Sequence, residues 1–256
     1  MDAASHTDAV GQIARVWCEA ESVVVLTGAG ISTASGIPDF RSPGGRWERY
    51  QPVSIQDFLA SEEARREYWR YKSDTWQLIS SAQPNPAHRA LAELGRANRV
   101  HLLVTQNVDG LHERSGFPTD RLVNIHGTDS RVQCVSCGKE DPRQVGQDLF
   151  DSGQQVPLCG CGGPLKPATI SFGQSLVEAD LHRCFREAAR CDFFVVVGSS
   201  LVVSPINQLF AEAKSAGARC AILTASETPF DDAADWKLAE PLESTLPMVG
   251  ERVLAS

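Results

Sequence analysis

Short apolar runs alternate with helical stretches along this chain, and that alternation limits the fold more than any other feature. Val23, Val24, Val25 and Leu26 are mostly β-branched and unbroken by polar residues, the pattern of a strand buried on both faces. Residues 192–197, with Phe193 and Phe194 followed by Val195, Val196 and Val197, are the most strand-like run, and 100–104, 122–125 and 218–223 read the same way. Residues 9–21 place Val10, Ile13, Ala14, Val16, Trp17 and Ala20 three and four apart, so an amphipathic helix is predicted there. Further helices are predicted over 87–97, over 178–190, and from Ser204 and Pro205 to a stop at Gly217. Strands separated by helices in this way give an α/β fold, a parallel sheet covered by helices on both faces.

At 256 residues the chain can bury a large core, as one domain with an insertion or as two unequal domains. Residues 44–82 break the alternation: they are polar and rich in Glu, Arg, Tyr and Trp, and read as short helices docked on the main body or as a mobile cover. Phe58, Tyr68, Trp69, Tyr71 and Trp76 are expected to serve mainly as packing between those helices. Lys and Arg total 24 against 32 Asp and Glu, and a net charge of −8 disfavours a nucleic-acid partner, which needs clustered positive charge. No apolar run approaches the ~20 residues of a membrane span, and the first eight residues lack a basic, apolar leader pattern, so no membrane is expected. The expectation is a cytoplasmic protein.

Four of the eight cysteines form two close pairs, Cys134 with Cys137 and Cys159 with Cys161. Pairs about twenty residues apart match a zinc ribbon, in which four thiolates close a tetrahedral structural site with no open position for chemistry. The second pair has one intervening residue where two are usual, which tightens the turn without preventing both sulfurs from reaching one ion. So small a ribbon cannot bury a core, and the metal is expected to supply much of its folding energy.

Polar and small residues gather where the predicted strands end. Gly28-Ala29-Gly30 after the first strand lets the backbone turn sharply and offer N–H groups to a phosphate, although Thr33 stands where a dinucleotide fingerprint has its third glycine. Gln106, Asn107 and Asp109 follow the second strand, His126 follows the third, and Gly198, Ser199 and Ser200 follow the strand at 192–197. Ligands of open α/β sheets bind along that edge, and a single dinucleotide could touch all of these groups.

Taken together and in order, Gly28-Ala-Gly-Ile-Ser32, Gly36-Ile-Pro-Asp-Phe-Arg41, Thr105-Gln-Asn-Val-Asp109, His126-Gly127, the cysteine pairs, Phe172-Gly173, Gly198-Ser-Ser-Leu201 and Glu227-Thr-Pro229 resemble the motifs of the sirtuins. The resemblance covers about residues 10–250. It implies a Rossmann-like NAD-binding domain made of 1–43, 83–130 and 165–256, with a small domain formed by a helical cofactor-loop module (44–82) and the zinc ribbon (131–164). It also implies NAD-dependent removal of acyl groups from protein lysine side chains, with nicotinamide released and the acyl group moved to ADP-ribose. NAD is then a consumed co-substrate, one zinc ion (Zn2+) is structural, and acylated lysine is the partner.

By the same resemblance, His126 is the general base toward a ribose hydroxyl, a task that suits an imidazole of ordinary pKa near ~6.5. Asn107 orients the ribose and a water, and Asp109 with the backbone near Ile37 holds the nicotinamide carboxamide. Asp39, Phe40 and Arg41 lie on the segment over the reacting ribose, where Phe40 and Arg41 shield and position it. Gly28, Ala29, Gly30, Gln106, Gly198, Ser199, Ser200 and Thr224 line the dinucleotide path. Ile170, Phe172 and Gly173 take the substrate peptide as an added strand. Departures from the family pattern are Gln174 in place of Glu, Thr224 in place of Asn, and Ile170-Ser171 in place of a more apolar pair. Members that prefer succinyl or malonyl lysine carry a Tyr and an Arg three residues later; Tyr71 follows Tyr68 and Asp74 follows Tyr71 at that spacing, which disfavours acidic acyl groups. An ADP-ribosyltransferase, an NAD hydrolase and an NAD-sensing binding module remain as alternatives on the same residues.

Overall fold

In a computed structural model, which describes residues 3–39 and 51–256, the chain opens with helix α1 (Ala3–Glu19), strand β1 (Val23–Thr27) and a 3-10 turn over Ala29–Ser35. Helices α2 (Ile55–Ala60), α3 (Glu62–Ser81) and α4 (Pro86–Arg96) precede strand β2 (Leu102–Thr105), the one-turn helix α5 (Leu111–Arg114) and strand β3 (Leu122–Asn124). The middle of the chain forms strands β4 (Gly127–Cys134) and β5 (Glu140–Pro142), helix α6 (Arg143–Asp151) and strand β6 (Leu165–Thr169). Helix α7 (Glu178–Ala188), strand β7 (Phe193–Val197), helix α8 (Gln208–Ser215), strands β8 (Arg219–Leu223) and β9 (Trp236–Leu238), and helix α9 (Leu242–Leu254) complete it.

Six strands make one parallel sheet in the order β3-β2-β1-β7-β8-β9. The chain thus runs outward from β1 to one edge, returns, and builds the other half from β7, so β1 and β7 flank the point where the order reverses. That point is where such sheets bind dinucleotides. Val23 to Thr27 and Phe193 to Val197 are buried throughout, as expected of strands with helices on both faces. One core packs α1, α4 and α9 against the face carrying Val25, Leu103 and Val195; the other packs α7 and α8 against Val24, Leu102 and Phe194. Each fully buried side chain of this kind contributes about 1.5–3 kcal/mol.

A second, antiparallel sheet of order β5-β4-β6 carries Cys134 at the end of β4, with Cys137, Cys159 and Cys161 in the connections between its strands, and Phe58, Tyr68 and Trp69 pack on its Val132, Cys134 and Leu165. Buried charge ties these pieces together. Asp129 on β4 accepts from Lys72 of α3 (2.9 Å) and from Arg143 of α6 (3.0 Å). All three side chains are buried; burial works to lower the lysine, but Asp129 together with Tyr68 and Tyr71 outweighs it, so Lys72 is held above its ordinary pKa.

Several boundaries differ from the sequence reading. The 44–82 segment contains one long helix: Ser61 accepts from the Ala64 N–H at the N-terminus, Glu62 and Glu63 suit that end's partial positive charge, and α3 then runs 20 residues. The helix expected from Pro205 starts at Gln208, because the chain first passes through tight turns in which Asn207 N donates to Val203 O and Gln208 N to Pro205 O. The segment carrying Ile170, Phe172 and Gly173 leaves β6 at Thr169 and closes a turn from Gln174 N to Ser171 O, with Gly173 at φ +75°. Helices α6 and α9 and strand β9 had no counterpart in the sequence reading. Among the described residues no helix is long and apolar enough to cross a membrane.

Candidate active site

The cleft forms because two strand ends approach each other with nothing but backbone between them. A Cβ added at Gly28 would lie 2.8 Å from Gly198 O and from Ser199 Cα, and one at Gly198 would lie 2.4 Å from Ile31 N. Gly198 also has φ +66°, which disfavours any side chain there. Gly30 N donates to Gly198 O (2.8 Å), locking the turn after β1 to the turn after β7. The two turns open onto a cavity of about 410 Å³.

Most of the residues expected at the site meet in that cavity. Gly28, Ala29, Gly30, Asp39, Gln106, Asn107, His126, Gly198, Ser199, Ser200 and Thr224 line it, and so do Ile170, Phe172 and Gly173. Ile37 and Asp109 line a smaller recess of about 40 Å³ that shares Ala29, Gln106 and Asn107 with the main cavity. Phe40 and Arg41 lie outside the described residues. Cys134, Cys137, Cys159 and Cys161 form a separate cluster and take no part in the cleft.

Hydrogen bonds fix how these groups are presented. His126 Nδ1 lies 3.1 Å from the carbonyl oxygen of Gln106. A carbonyl only accepts, so Nδ1 carries the proton and Nε2 keeps its lone pair. Burial lowers the imidazole pKa, partly countered by that same bond, so the ring is neutral near pH 7. Asn107 Nδ2 donates to Gly28 O (3.0 Å) and to Ser32 Oγ (3.2 Å), which commits its protons and leaves the amide oxygen for a ligand. Ser32 Oγ in turn donates to Asp109 Oδ2 (2.8 Å), whose other oxygen accepts from Leu111 N (2.9 Å). Burial pushes the Asp109 carboxyl up, against those two hydrogen bonds. Gln106 Nε2 donates to Ser199 Oγ (2.8 Å), bridging the ends of β2 and β7.

On the far side, Ile170 N donates to His126 O (2.8 Å), so the segment carrying Ile170 is anchored beside the histidine. Ile55 N donates to Phe172 O and Gln56 Nε2 to Gly173 O (3.2 Å), so α2 steadies the loop while the Phe172 side chain stays exposed. Gln174 Oε1 accepts from Ser171 N (3.1 Å) and from the buried Lys166 (3.3 Å), a neutral acceptor for a cation that also donates to the Thr169 and Pro167 carbonyls.

The sequence reading left one whole wall out of its site residues, weighing Tyr68 and Tyr71 only as packing and against acidic acyl groups. Tyr68, Tyr71, Lys72 and Thr75 line the cavity from α3. Their spacing of three and four places them on one helix face, a signal available in the sequence but hidden among aromatics expected to pack. Phe58 and Trp69 do pack, fully buried in the core of the small sheet. Val203, Ser204, Pro205 and Ser226 also border the cavity.

The cysteine cluster fits a metal ion. All four sulfurs lie within 4.8 Å of one another, with Cys134 to Cys161 at 3.5 Å and Cys137 to Cys159 at 3.8 Å. Tetrahedral zinc with Zn–S bonds of ~2.3 Å needs sulfurs ~3.8 Å apart. The four cysteines are free of disulfides.

Comparison with known proteins agrees with this geometry. The model of the Sir2 family matches residues 28–205. An NAD-dependent protein deacetylase of Rhodopseudomonas palustris is 41% identical over 252 residues, covering 98% of this chain and 100% of that protein. NAD-dependent protein deacetylase 1 of Bradyrhizobium diazoefficiens is 42% identical over 233 residues, covering 91% and 92%. A solved Sir2 complex with a p53 peptide and NAD+ superposes with a TM-score of 0.86 at 31% identity, covering 96% of this chain and 98% of that one. Similarity that runs the length of both partners, in sequence and in fold, leaves one assignment: the chain belongs to the Sir2 family.

Proposed function

We propose that this chain is an NAD-dependent protein-lysine deacylase that transfers the acyl group to ADP-ribose and releases nicotinamide, with His126 as its general base. The observation that carries the role of His126 is its bond to Gln106 O, which places the proton of the ring, kept neutral by burial, on Nδ1 and leaves Nε2 unprotonated at a wall of the cavity. NAD, when bound, supplies an electrophilic ribose carbon and a leaving group. Gly28, Gly30 and Gly198 let the turns after β1 and β7 pack backbone against backbone, which shapes the wall that its phosphates meet. Asn107 offers Oδ1 to the ribose, because its amide protons are held by Gly28 and Ser32. Asp109 and the backbone of Ile37 hold the carboxamide in the smaller recess. Ser199, Ser200 and Thr224 continue the dinucleotide path, and Asp39 lines the cavity at the reacting end.

The acylated lysine enters beside Ile170, and its peptide pairs as a strand with Phe172-Gly173. Cys134, Cys137, Cys159 and Cys161 hold one structural zinc ion away from the chemistry. The large sheet supports an NAD-binding domain of 1–43, 83–130 and 165–256, and the small sheet with α2 and α3 supports the 44–82 and 131–164 modules as the smaller domain. A reducing compartment, the cytoplasm, suits four thiolate ligands. His126→Ala and wild type compared on an acetyl-lysine peptide with NAD test the assignment. Loss of a general base lowers turnover by about 10²–10⁴-fold, and a variant turning over at the wild-type rate overturns it.

A further inference from the structure

Beneath the cleft, three side chains from three elements form a continuous polar chain through the core that ends on the backbone N–H of Asn107. His112 on α5 is buried, and its Nε2 lies 3.0 Å from Thr27 Oγ1 at the end of β1. Thr27 Oγ1 lies 2.9 Å from Thr105 Oγ1 at the end of β2, and Thr105 Oγ1 accepts from the backbone N–H of Asn107 (3.1 Å). Thr27 and Thr105 are themselves register partners in the sheet, and both are buried.

Direction can be assigned along this chain. His112 Nδ1 has no hydrogen-bond partner among the described residues. A proton on Nδ1 would be a buried donor without an acceptor, so the proton belongs on Nε2, where Thr27 Oγ1 receives it. Thr27 then donates onward to Thr105 Oγ1, whose second lone pair accepts from the Asn107 N–H. Asn107 is thereby held at two points, its N–H by Thr105 and its side-chain amide by Gly28 O and Ser32 Oγ. Gly28 immediately follows Thr27, so the middle of the chain also sets the carbonyl that orients the Asn107 amide.

We infer that His112 is a positioning residue for the reaction: by donating to Thr27 it sets the Thr27–Thr105 hydroxyl pair and, through it, the backbone and side-chain orientation of Asn107 in the cleft. This rests on the role proposed for Asn107. His112 touches no cavity-lining surface itself, since it is absent from both recesses, and its ring faces His88 (centroids 4.9 Å) and Phe117 (6.5 Å) on the core side.

The test compares His112→Phe, which keeps ring volume without a donor, with His112→Gln, which keeps a donor at similar reach, and with Thr27→Val, which is isosteric and breaks the chain one step on. Nicotinamide release from NAD with an acetyl-lysine peptide is measured in the folded proteins, alongside thermal melting. His112→Phe and Thr27→Val are expected to lower kcat about tenfold, the effect of one misdirected hydrogen bond of about 1.4 kcal/mol, with the KM for peptide unchanged. His112→Gln is expected to recover most of kcat. A role limited to folding would lower the melting temperature alone. Wild-type kcat in Thr27→Val, or equal losses in the Phe and Gln variants, overturns the proposal. Wild-type protein that releases no nicotinamide would instead overturn the function on which it rests.

Discussion

Acidification should destabilise this fold through a histidine that lines neither recess of the cleft. His88 on α4 has its side chain fully buried, and burial, reinforced by the positive charges of Arg114 and Arg89, pushes its pKa down to about 4. In the unfolded chain the same ring titrates near ~6.5. Between those values the unfolded state binds a proton that the folded state refuses, so the contribution is complete above about pH 6.5 and is lost as pH falls toward the folded pKa. At about pH 5 this one ring lowers stability by about 2 kcal/mol relative to about pH 7.5. His112, held well below the ordinary range by burial and by His88, acts with the same sign. Urea denaturation of wild type and His88→Leu at both pH values isolates the effect, because other titrating groups, the zinc thiolates included, are common to both proteins. The variant should lose about 2 kcal/mol less than wild type on acidification. Equal losses in the two proteins would refute the reasoning.

Metal analysis should find one zinc per chain, and a strong chelator should lower the melting temperature by unfolding the ribbon; protein without stoichiometric zinc contradicts this reading of the four cysteines. Asp129→Asn leaves Lys72 and Arg143 as buried cations without their carboxylate, and should cost about 3–5 kcal/mol in urea denaturation. A cost below about 1 kcal/mol would mean that the buried cluster is solvated or repacked.

The parts of the molecule that were legible in the sequence are those where one residue type has one physical use. Unbroken β-branched runs at Val23 to Leu26 and Phe193 to Val197 are fully buried strands of the parallel sheet, and closely paired cysteines form one cluster. Gly28 and Gly198 were visible as turn residues, but their mutual approach depends on strand order, which periodicity does not encode. Residues with two uses were harder to place. Tyr68 and Lys72 sit on α3 among aromatics that pack, and only the docking of that helix on the small sheet turns them toward the cleft. Helix α9 carries Leu242, Leu246, Val249 and Val253 at helical spacing, yet Pro247 within it reads as a helix breaker. His112 lies three residues past Asp109 in sequence, yet the one-turn helix α5 carries it into the core.

The most direct measurement of the central claim is mass analysis of the products formed from NAD and an acetyl-lysine peptide by wild type and by His126→Ala. The expected result is free nicotinamide, deacetylated peptide and acetyl-ADP-ribose in equal amounts from wild type, and almost none of the three from the variant. Unacylated ADP-ribose alone, or ADP-ribose attached to protein, would contradict deacylation and place the chain among enzymes that spend NAD on water or on another acceptor.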